Sequence, residues 1–362
     1  MLSHLEDIIG KSRNGLISYA DYIELALYHP VHGYYMRESE KIGRSGDFIT
    51  SSNVSDIFGR IFSKWFARHV KINGVAPAVC EIGGGNGRFA KAFMEEWANH
   101  SGDSLTYTII ETSPYHRKLQ SEALDGFSGF SQESGIQSIR HFKGIIFSNE
   151  LFDALPVHVV EKKSGILMEA MVGIDNGRLF EKLVPLKNEE VASFLEENGL
   201  FLNEGQRIEV PLAMGKMVRE ISRSLEEGIV ATVDYGYTAE EWMLPERKQG
   251  SLRGYMNHQM VNDVLAYPGR MDITTHIHFD ALAKEGEKQG LEALTKLRQD
   301  EFLISAGILT EFEEHYDPNP FSERSRRNRA IRSLVLPSGM SASFHVLLQQ
   351  KGLRLGADKI FP

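Results

Sequence analysis

A short apolar run that ends in three consecutive glycines is the feature that most constrains how this chain can fold. Residues 78–82 read Ala-Val-Cys-Glu-Ile, Gly83, Gly84 and Gly85 follow, and an apolar-periodic segment begins at Phe89. This order predicts a strand, a tight turn and a helix, the first unit of a doubly wound α/β sheet. Glycines allow the turn and a close approach to a ligand because they have no Cβ, and the helix behind them presents free N–H groups.

The spacing of these glycines indicates which ligand the loop binds. A dinucleotide fingerprint, G-x-G-x-x-G, counted from Gly83 would need a glycine where Arg88 stands. The pattern that fits is acid-x-Gly-x-Gly-x-Gly, formed by Glu81, Gly83, Gly85 and Gly87. It looks like the cofactor loop of the class I methyltransferases, which bind S-adenosylmethionine. The loop alone leaves a nucleotide-binding oxidoreductase and a structural turn open.

Composition restricts the class of protein. A chain of 362 residues can hold one large α/β domain with insertions or two domains, and its 42% hydrophobic and 25% charged residues are typical of globular proteins. The start of the chain is acidic, unlike a signal or transit peptide. A single cysteine, Cys80, indicates a reducing compartment, and we expect a bacterial cytoplasmic protein without a membrane span. The net charge of −9 argues against nucleic-acid binding.

Three N-terminal segments carry a more specific resemblance. Residues 17–22, 29–35 and 46–51 read ISYADY, HPVHGYY and GDFITS. They resemble the N-terminal signature of the MidA family, whose mitochondrial members assist assembly of respiratory complex I and are regarded as protein arginine methyltransferases. The resemblance continues along most of the chain, although the family usually has leucine and proline where Ile82 and Gly84 stand here. It implies that Asp47 and Phe48 close over the cofactor.

A second predicted strand, over residues 105–110, ends at Glu111. In the doubly wound pattern an acid about 20 residues beyond the glycine loop accepts hydrogen bonds from the ribose hydroxyls. The gap is slightly longer here, and a surface loop at residues 98–104 would absorb the difference. We therefore predict Glu111 as a ribose ligand; the alternative is a solvated acid at a strand end.

The third motif reads SNELFDALPV over residues 148–157. An apolar strand delivers Asn149 and Glu150 at its carboxyl end, where open α/β sheets bind ligands. Asp153 lies three residues further, so a helical turn would place both acids on one face. Closely spaced acids at an apolar rim cost solvation energy, as is typical of functional sites. The segment resembles the Asn-Glu-Phe-Phe-Asp-Ala-Leu-Pro-Val block of the MidA family.

Residues further along the chain complete the predicted site. Alternating residues over 158–213 predict a β-rich insertion, after which a buried strand brings Asp234 and Tyr235 to the same sheet edge as Glu150. Arg253 lies between glycines in a loop that resembles the arginine-glycine-aromatic segment of the MidA family. We expect Asp234, Tyr235 and Arg253 to bind the substrate.

The C-terminal part carries fewer functional signals. We predict mainly helices over residues 281–320, then an antiparallel strand pair at 333–336 and 343–349, as class I methyltransferases end. The basic cluster at 323–332 invites a nucleic-acid interpretation, but a solvated edge suits an acidic chain better. His276 and His278 would share one face of a strand, yet no acid or cysteine cluster completes a metal site, and we predict no metal.

The predicted fold is a Rossmann-like α/β class I methyltransferase with a seven-stranded, mostly parallel sheet. Residues 1–70 would form a helical cap and cofactor lid, residues 71–157 and 214–362 the core, and residues 158–213 the insertion. The resemblance implies methyl transfer from S-adenosylmethionine to a protein arginine. Glu150 and Asp153 would hold the protonated guanidinium, and Asn149 would contact both cofactor and acceptor. A non-catalytic assembly factor and an NAD-dependent oxidoreductase are the alternatives, and a homodimer stays open.

Overall fold

The computed structural model describes residues 1–39, 41, 46, 55–312, 318–319, 321–336 and 343–361. The chain divides into two compact units, each assembled from separated stretches of sequence. The first unit comprises Met1–Phe48, Phe152–Val218 and Gly236–Glu285, and the second comprises Ile49–Leu151, Arg219–Tyr235 and Gly286–Pro362. The predicted division into a cap, a core and an insertion stays a prediction.

The α-helices of the described residues are, in chain order, α1 (Leu2–Lys11), α2 (Tyr19–Tyr28), α3 (Ile57–Asn73), α4 (Arg88–His100), α5 (Pro114–Ala123), α6 (Glu189–Glu197), α7 (Leu212–Ser224), α8 (Ala239–Trp242), α9 (Phe279–Lys288), α10 (Gln299–Ser305) and α11 (Glu323–Val335). None of the helices in the described ranges has the length and apolar character of a membrane span.

The β-strands of the described residues are β1 (Ile17–Ser18), β2 (Ala78–Ile82), β3 (Thr106–Ile110), β4 (Phe130–Glu133), β5 (Phe142–Asn149), β6 (His158–Lys163), β7 (Ile166–Asp175), β8 (Arg178–Pro185), β9 (Arg207–Val210), β10 (Leu225–Tyr237), β11 (Arg253–Met256), β12 (Gln259–Val261), β13 (Asp272–Thr274), β14 (Ile277–His278), β15 (Glu292–Arg298) and β16 (Phe344–Lys351).

A sheet with the strand order β15-β16-β10-β5-β2-β3-β4 forms the centre of the second unit. The strands β4, β3, β2, β5 and β10 are parallel, and β16 runs antiparallel between β10 and β15. The predicted α/β fold with a mostly parallel sheet is confirmed. Its strand count is not the predicted one, because the short strand β14 also pairs with the last two residues of β10.

Aromatic packing joins α3 and α4 to this sheet. Phe62 of α3 lies 5.0 Å from Phe147 of β5 between ring centroids, and Phe89 of α4 stacks on Phe147 at 4.2 Å. These side chains are at most 5% exposed. Because parallel strands are covered on both faces, β2 and β5 are apolar along most of their length, as the sequence indicates. The packing fixes the loop between β2 and α4 at the carboxyl edge of the sheet.

The first unit is mainly antiparallel. One sheet has the order β1-β7-β6-β9, with β8 paired to β7, and a second has the order β12-β11-β13. The helix α2 begins with the predicted N-cap: Ser18 accepts from the backbone N–H of Asp21, whose carboxylate accepts from Ser18 in return. Its buried residues Tyr22, Ile23 and Leu27 pack in the apolar core of this unit.

Two C-terminal predictions are wrong. Glu292–Arg298 form the strand β15 within a region predicted as helical, and residues 333–335 belong to the helix α11 instead of a strand. Ser322 is the N-cap of this helix and accepts from the backbone N–H of Ser325, and the helix buries Ile331 and Leu334 on one face. The antiparallel partner of β16 is therefore β15, and the basic cluster lies on a helix.

Candidate cofactor and catalytic site

Three glycines of the loop between β2 and α4 have positive φ angles. The values are 76° for Gly83, 51° for Gly85 and 79° for Gly87, which precedes the first residue of α4. The backbone N–H of Gly83 donates to Ile110 O at 2.9 Å, and that of Gly87 donates to Gly84 O at 2.9 Å. Side chains other than glycine rarely adopt this conformation, so the acid-x-Gly-x-Gly-x-Gly pattern is a conformational requirement here.

The packing around Gly84 accounts for the absence here of the proline that is usual in the MidA family. A Cβ at this position would lie 2.7 Å from Cγ2 of Ile109, well inside contact distance. The loop is fixed instead by Gln120 of α5, whose Nε2 donates to Gly85 O at 2.8 Å. Gln132 in turn donates to Gln120 Oε1 at 2.7 Å. The bulky β3 side chain thus occupies space that a larger residue 84 would need.

Glu81 is a buried carboxyl group at the end of β2. It is 4% exposed, and Tyr107 Oη donates to its Oε2 at 2.8 Å. The pKa of Glu81 is raised to about 7, mainly by burial and to a smaller extent by the nearby Glu111, against the lowering effect of the hydrogen bond from Tyr107. A buried carboxylate is stabilised by a nearby positive charge, so Glu81 favours the binding of a cationic ligand group.

Glu111 follows β3 at the neighbouring strand end. Its Oε1 accepts from the backbone N–H of Ser113 at 2.8 Å, and His116 Nδ1 lies 3.8 Å from Oε2. Burial raises the pKa of Glu111 to about 7 against the lowering effect of backbone hydrogen bonds from Ser113, Gly85 and Thr112. The carboxyl group of Glu111 is therefore hydrogen-bonded to the glycine loop, where a ribose ligand is expected. Its role as a ribose ligand stays a prediction.

Asn149 and Glu150 stand at the end of β5. Asn149 Nδ2 donates to Glu150 Oε1 at 3.0 Å, and the backbone N–H of Glu150 donates to Val233 O at 2.9 Å. Glu150 has a φ of 52°, a strained value for a residue with a side chain. The predicted helical turn from Glu150 to Asp153 is wrong, because this φ takes the chain out of the helical region.

The strand register brings most of the predicted site residues together in the second unit. Ile82 pairs with Ile110 and with Ser148, and Val233 pairs with Asn149, so the carboxyl ends of β2, β3, β5 and β10 are aligned. This edge carries the following predicted residues: Glu81, Gly83, Gly85, Gly87, Glu111, Asn149, Glu150, Asp234 and Tyr235.

Asp234 and Tyr235 follow each other on β10. Asp234 is fully buried and accepts from the backbone N–H of Tyr235 at 2.9 Å, while the Tyr235 ring packs edge-on against Phe344 at 5.2 Å. Asp153 and Arg253 belong to the first unit, where Asp153 is 4% exposed and Arg253 donates to Leu252 O. Asp47 and Phe48 lie outside the described residues.

Sequence reasoning missed Tyr107 and Gln120. Tyr107 holds Glu81 through its hydroxyl, and Gln120 holds Gly85 through its amide. Both are completely buried polar side chains. A tyrosine inside a predicted strand is a signal that could have identified Tyr107, since buried polar groups need partners. No such signal points to Gln120, because α5 buries only the polar residues His116 and Gln120.

These residues fit the cofactor that the resemblance implies. Asn149 Oδ1 is buried and accepts no hydrogen bond from the described part of the chain, so a donor from a ligand would satisfy it. The carboxyl groups of Glu81 and Glu111 offer acceptors for an ammonium group and for ribose hydroxyls. No group of three or more His, Cys, Asp or Glu that could hold a metal is found among the described residues.

The pKa values predict a pH-dependent affinity for S-adenosylmethionine. The cofactor ammonium binds the ionised carboxylate of Glu81 more tightly than its protonated form, and burial raises the pKa of Glu81, like that of Glu111, from 4.5 to about 7. Between pH 5.5 and 7 the cofactor ammonium stays protonated, so we expect the Kd to fall about tenfold as pH rises through this window. Tyr107→Phe removes a bond that lowers the pKa of Glu81 and should shift the change to higher pH. A Kd that is constant over this window, measured by calorimetry, would contradict the prediction.

The raised pKa values of Glu81 and Glu111 also predict how the stability of the ligand-free protein changes with pH. A raised folded-state pKa means that the folded protein binds protons more tightly than the unfolded chain. The free energy of unfolding should therefore decrease as pH rises from about 4.5 to 7. Bound cofactor should remove much of this decrease, because it stabilises the ionised carboxylates.

Known proteins resemble this chain over nearly its whole length. Protein arginine methyltransferase NDUFAF7, mitochondrial, of Danio rerio is 27% identical over 95% of this chain and 85% of its own length. The Homo sapiens protein of the same name is 26% identical over 95% of this chain and 82% of its own length. A Burkholderia thailandensis crystal structure bound to S-adenosyl-homocysteine has a TM-score of 0.90 and 28% identity, covering 99% of this chain and 93% of that one.

The family assignment rests on the sequence match and agrees with the geometry. Residues 61–296 match the model of one protein family, which is described as a putative S-adenosyl-L-methionine-dependent methyltransferase. This range contains β2, the glycine loop, Glu111, Asn149 and Glu150. Because the match covers well over half of the chain, the chain belongs to this family, and the predicted MidA resemblance, class I fold and S-adenosylmethionine cofactor are confirmed.

Proposed function

We propose that this methyltransferase modifies an arginine side chain of a protein. The observation that carries the proposal is the Asn149–Glu150 pair at the end of β5, where an amide orients a carboxylate on a strained backbone. A carboxylate held in one orientation can grip a planar guanidinium through two parallel hydrogen bonds. The relatives named protein arginine methyltransferases support the same acceptor.

Different residues of this chain would bind the cofactor and accept the proton. Bound S-adenosylmethionine supplies a methyl group that its sulfonium has already activated. Glu81, Glu111 and the glycine loop would hold it, so catalysis depends on positioning and electrostatics. A guanidinium has a pKa above about 12 and arrives protonated. Glu150 would stabilise that charge, orient the nitrogen and accept the proton that the nitrogen loses.

The strain at Glu150 supports a catalytic role over a structural one. A non-glycine residue at positive φ costs about 1 kcal/mol or more, and such residues cluster at functional sites. The backbone hydrogen bond from Glu150 to Val233 O, at 2.9 Å, holds the conformation in place. The strain therefore favours a role that depends on the position of the Glu150 side chain.

The proposal is tested with radiolabelled S-adenosylmethionine and synthetic peptides that each contain one arginine in varied surroundings. Matched peptides with lysine or glutamine at the same position serve as controls. We expect label on the arginine peptides alone, localised to the guanidinium by fragmentation in the mass spectrometer. Label on lysine, or none on any arginine peptide under conditions where the cofactor binds, would contradict arginine as the acceptor.

We also propose that the chain works in a reducing compartment such as the cytoplasm. Its one cysteine, Cys80, is buried in β2, and burial raises the pKa of its thiol. The thiol is therefore protected and unreactive, and the fold needs no disulfide. Unchanged thermal midpoints with and without a reducing agent would agree with this proposal, whereas stabilisation by oxidation would contradict it.

A further inference from the structure

Two arginine side chains of the first unit lie near the ring of one histidine. Arg247, Arg253 and His276 all belong to the stretch Gly236–Glu285 of that unit, and their side chains are half-buried. Within the described ranges, neither guanidinium forms an ion pair with an acidic side chain, although the chain has 49 acidic residues against 40 Lys and Arg. Two neighbouring positive charges without a counter-charge repel each other, so their placement requires an explanation.

Strand pairing and a hydrogen bond bring Arg253 to His276. Arg253 of β11 pairs with Thr274 of β13, and His276 follows two residues after Thr274. The backbone N–H of His276 donates to Ser251 Oγ at 2.9 Å, and Ser251 stands two residues before Arg253. The two segments are therefore held side by side over several residues, and the position of Arg253 beside His276 does not depend on either side chain.

Arg247 reaches the same histidine through an aromatic ring. Its Cζ lies 4.0 Å from the centroid of the Tyr237 ring. The rings of Tyr237 and His276 are stacked, with centroids 4.7 Å apart and an angle of 4° between their planes. Burial, and after it the charges of Arg247 and Arg253, lower the pKa of His276 to about 4. Both guanidinium groups therefore act on one ring within a single unit.

Two buried N–H groups at this place have no acceptor in the described part of the chain. They are Arg247 Nε and Trp242 Nε1. Trp242 is completely buried and packs edge-on against Tyr237, with ring centroids 5.1 Å apart. Arg253 donates from Nη1 to Leu252 O at 2.6 Å, which leaves its other N–H groups without an acceptor among the described residues. Buried donors are nearly always satisfied in folded proteins, so a ligand with acceptor atoms would complete this region.

The buried acids of the same region have other partners. Glu209 Oε2 accepts from the backbone N–H and the hydroxyl of Ser251 at 2.9 and 3.0 Å. Asp272, the acid of β13, accepts from Tyr35 Oη at 2.7 Å. Because these carboxylates bind neutral donors, the charge of Arg253 is left for a ligand.

We propose that Arg247 and Arg253 form a binding site for an oxyanion, the carboxylate or phosphate group of a ligand. A guanidinium binds either group through two parallel N–H···O bonds, and a negative ligand removes the repulsion between the two positive charges. Stacking on Tyr237 fixes the position of the Arg247 guanidinium. The inference goes beyond the proposed function and does not depend on it, because every contact that carries it lies in the first unit.

The test titrates the full-length protein with inorganic phosphate and, separately, with acetate, at constant ionic strength in chloride and with S-adenosylmethionine present. We expect saturable binding, measured by calorimetry, and the anion with the lower Kd identifies the group as phosphate or carboxylate. Arg247→Gln and Arg253→Gln should each raise that Kd at least about tenfold, because each removes a charge-assisted pair of hydrogen bonds. The matched control, Arg178→Gln, changes an exposed arginine of β8 in the same unit and should alter the Kd by less than about twofold.

A second readout uses the wild-type protein, so it decides even if a variant does not fold. Phenylglyoxal modifies accessible guanidinium groups, and mass spectrometry of peptides gives the rate at each arginine. The tighter-binding anion, at ten times its Kd, should slow the modification of Arg247 and Arg253 about tenfold and leave Arg178 unchanged.

Three results would each overturn the proposal. The first is the absence of saturable binding by either anion. The second is binding that Arg247→Gln and Arg253→Gln leave at the wild-type Kd, which would place the anion elsewhere. The third is modification of Arg247 and Arg253 at an unchanged rate in the presence of the anion, which would make them ordinary solvated arginines.

Discussion

Replacing Glu150 by glutamine should lower the kcat for methyl transfer by about 10²- to 10⁴-fold, the range for removing a catalytic acid or base. Glutamine keeps the size of the side chain but loses the negative charge that stabilises the guanidinium and the site that accepts its proton. The Kd for S-adenosylmethionine should change by less than about threefold, because the carboxyl groups predicted to hold it are Glu81 and Glu111. Single-turnover assays and calorimetry on the same preparations measure the two quantities.

Glu150→Gly separates catalysis from stability. Glycine removes the carboxylate and also relieves the strain of a φ of 52°. The relief, about 1 kcal/mol, is offset by the greater freedom that glycine gives the unfolded chain, about 0.4–1 kcal/mol. The free energy of unfolding should therefore stay within about 0.5 kcal/mol of wild type, where most substitutions cost about 1 kcal/mol. Activity should still be lost.

The matched control is Glu122→Gln, an exposed residue of α5. Its kcat should equal that of wild type within experimental error. A Glu150→Gln variant that keeps more than about a tenth of the wild-type kcat would show that Glu150 is not the catalytic carboxylate. The strained backbone at this position would then need another explanation.

Gly228→Ala should lower the free energy of unfolding by about 3 kcal/mol or more, the combined cost of a glycine-only backbone and a steric clash. Gly228 pairs with Gly144 between β10 and β5, and its φ is 153°. A Cβ here would lie 1.8 Å from Gly144 O, and backbone atoms of a central sheet cannot move aside at low cost. Urea denaturation with a linear extrapolation measures the change.

Gly290→Ala is the control for the conformational part of this cost. Gly290 also has a positive φ, 83°, but a Cβ there would meet no atom within 4 Å. This variant should lose only about 1 kcal/mol, the cost of a positive φ without a clash. Equal losses in the two variants would show that the clash with Gly144 O adds no cost, which would contradict the prediction.

Local patterns in the sequence were sufficient to predict the glycine loop and the acid before it. The apolar run before Gly83, the three spaced glycines and the acid at Glu81 all lie within a few residues of each other. Their conformations follow from steric rules that act over short distances along the chain. The N-cap at Ser18 and the end of β3 before Glu111 could be predicted for the same reason.

The C-terminal strand pair shows where such patterns fail. Residues 333–336 read Ser-Leu-Val-Leu, a composition that suits a strand, yet residues 333–335 end a helix that begins beside Ser322. β15 takes the place beside β16 because its register there is set by neighbours more than 40 residues away in the chain. Propensity is a weak determinant, and tertiary pairing overrides it.

The sequence by itself determined the glycine loop, the α/β class and the identity of the polar residues at the strand ends. Only the tertiary structure decided the left-handed conformation of Glu150, the raised pKa values of Glu81 and Glu111, and the contacts of Arg247 and His276 with the ring of Tyr237. The reason is that steric preference acts between neighbours in the chain. Burial, desolvation and hydrogen bonding depend on residues that only folding brings together.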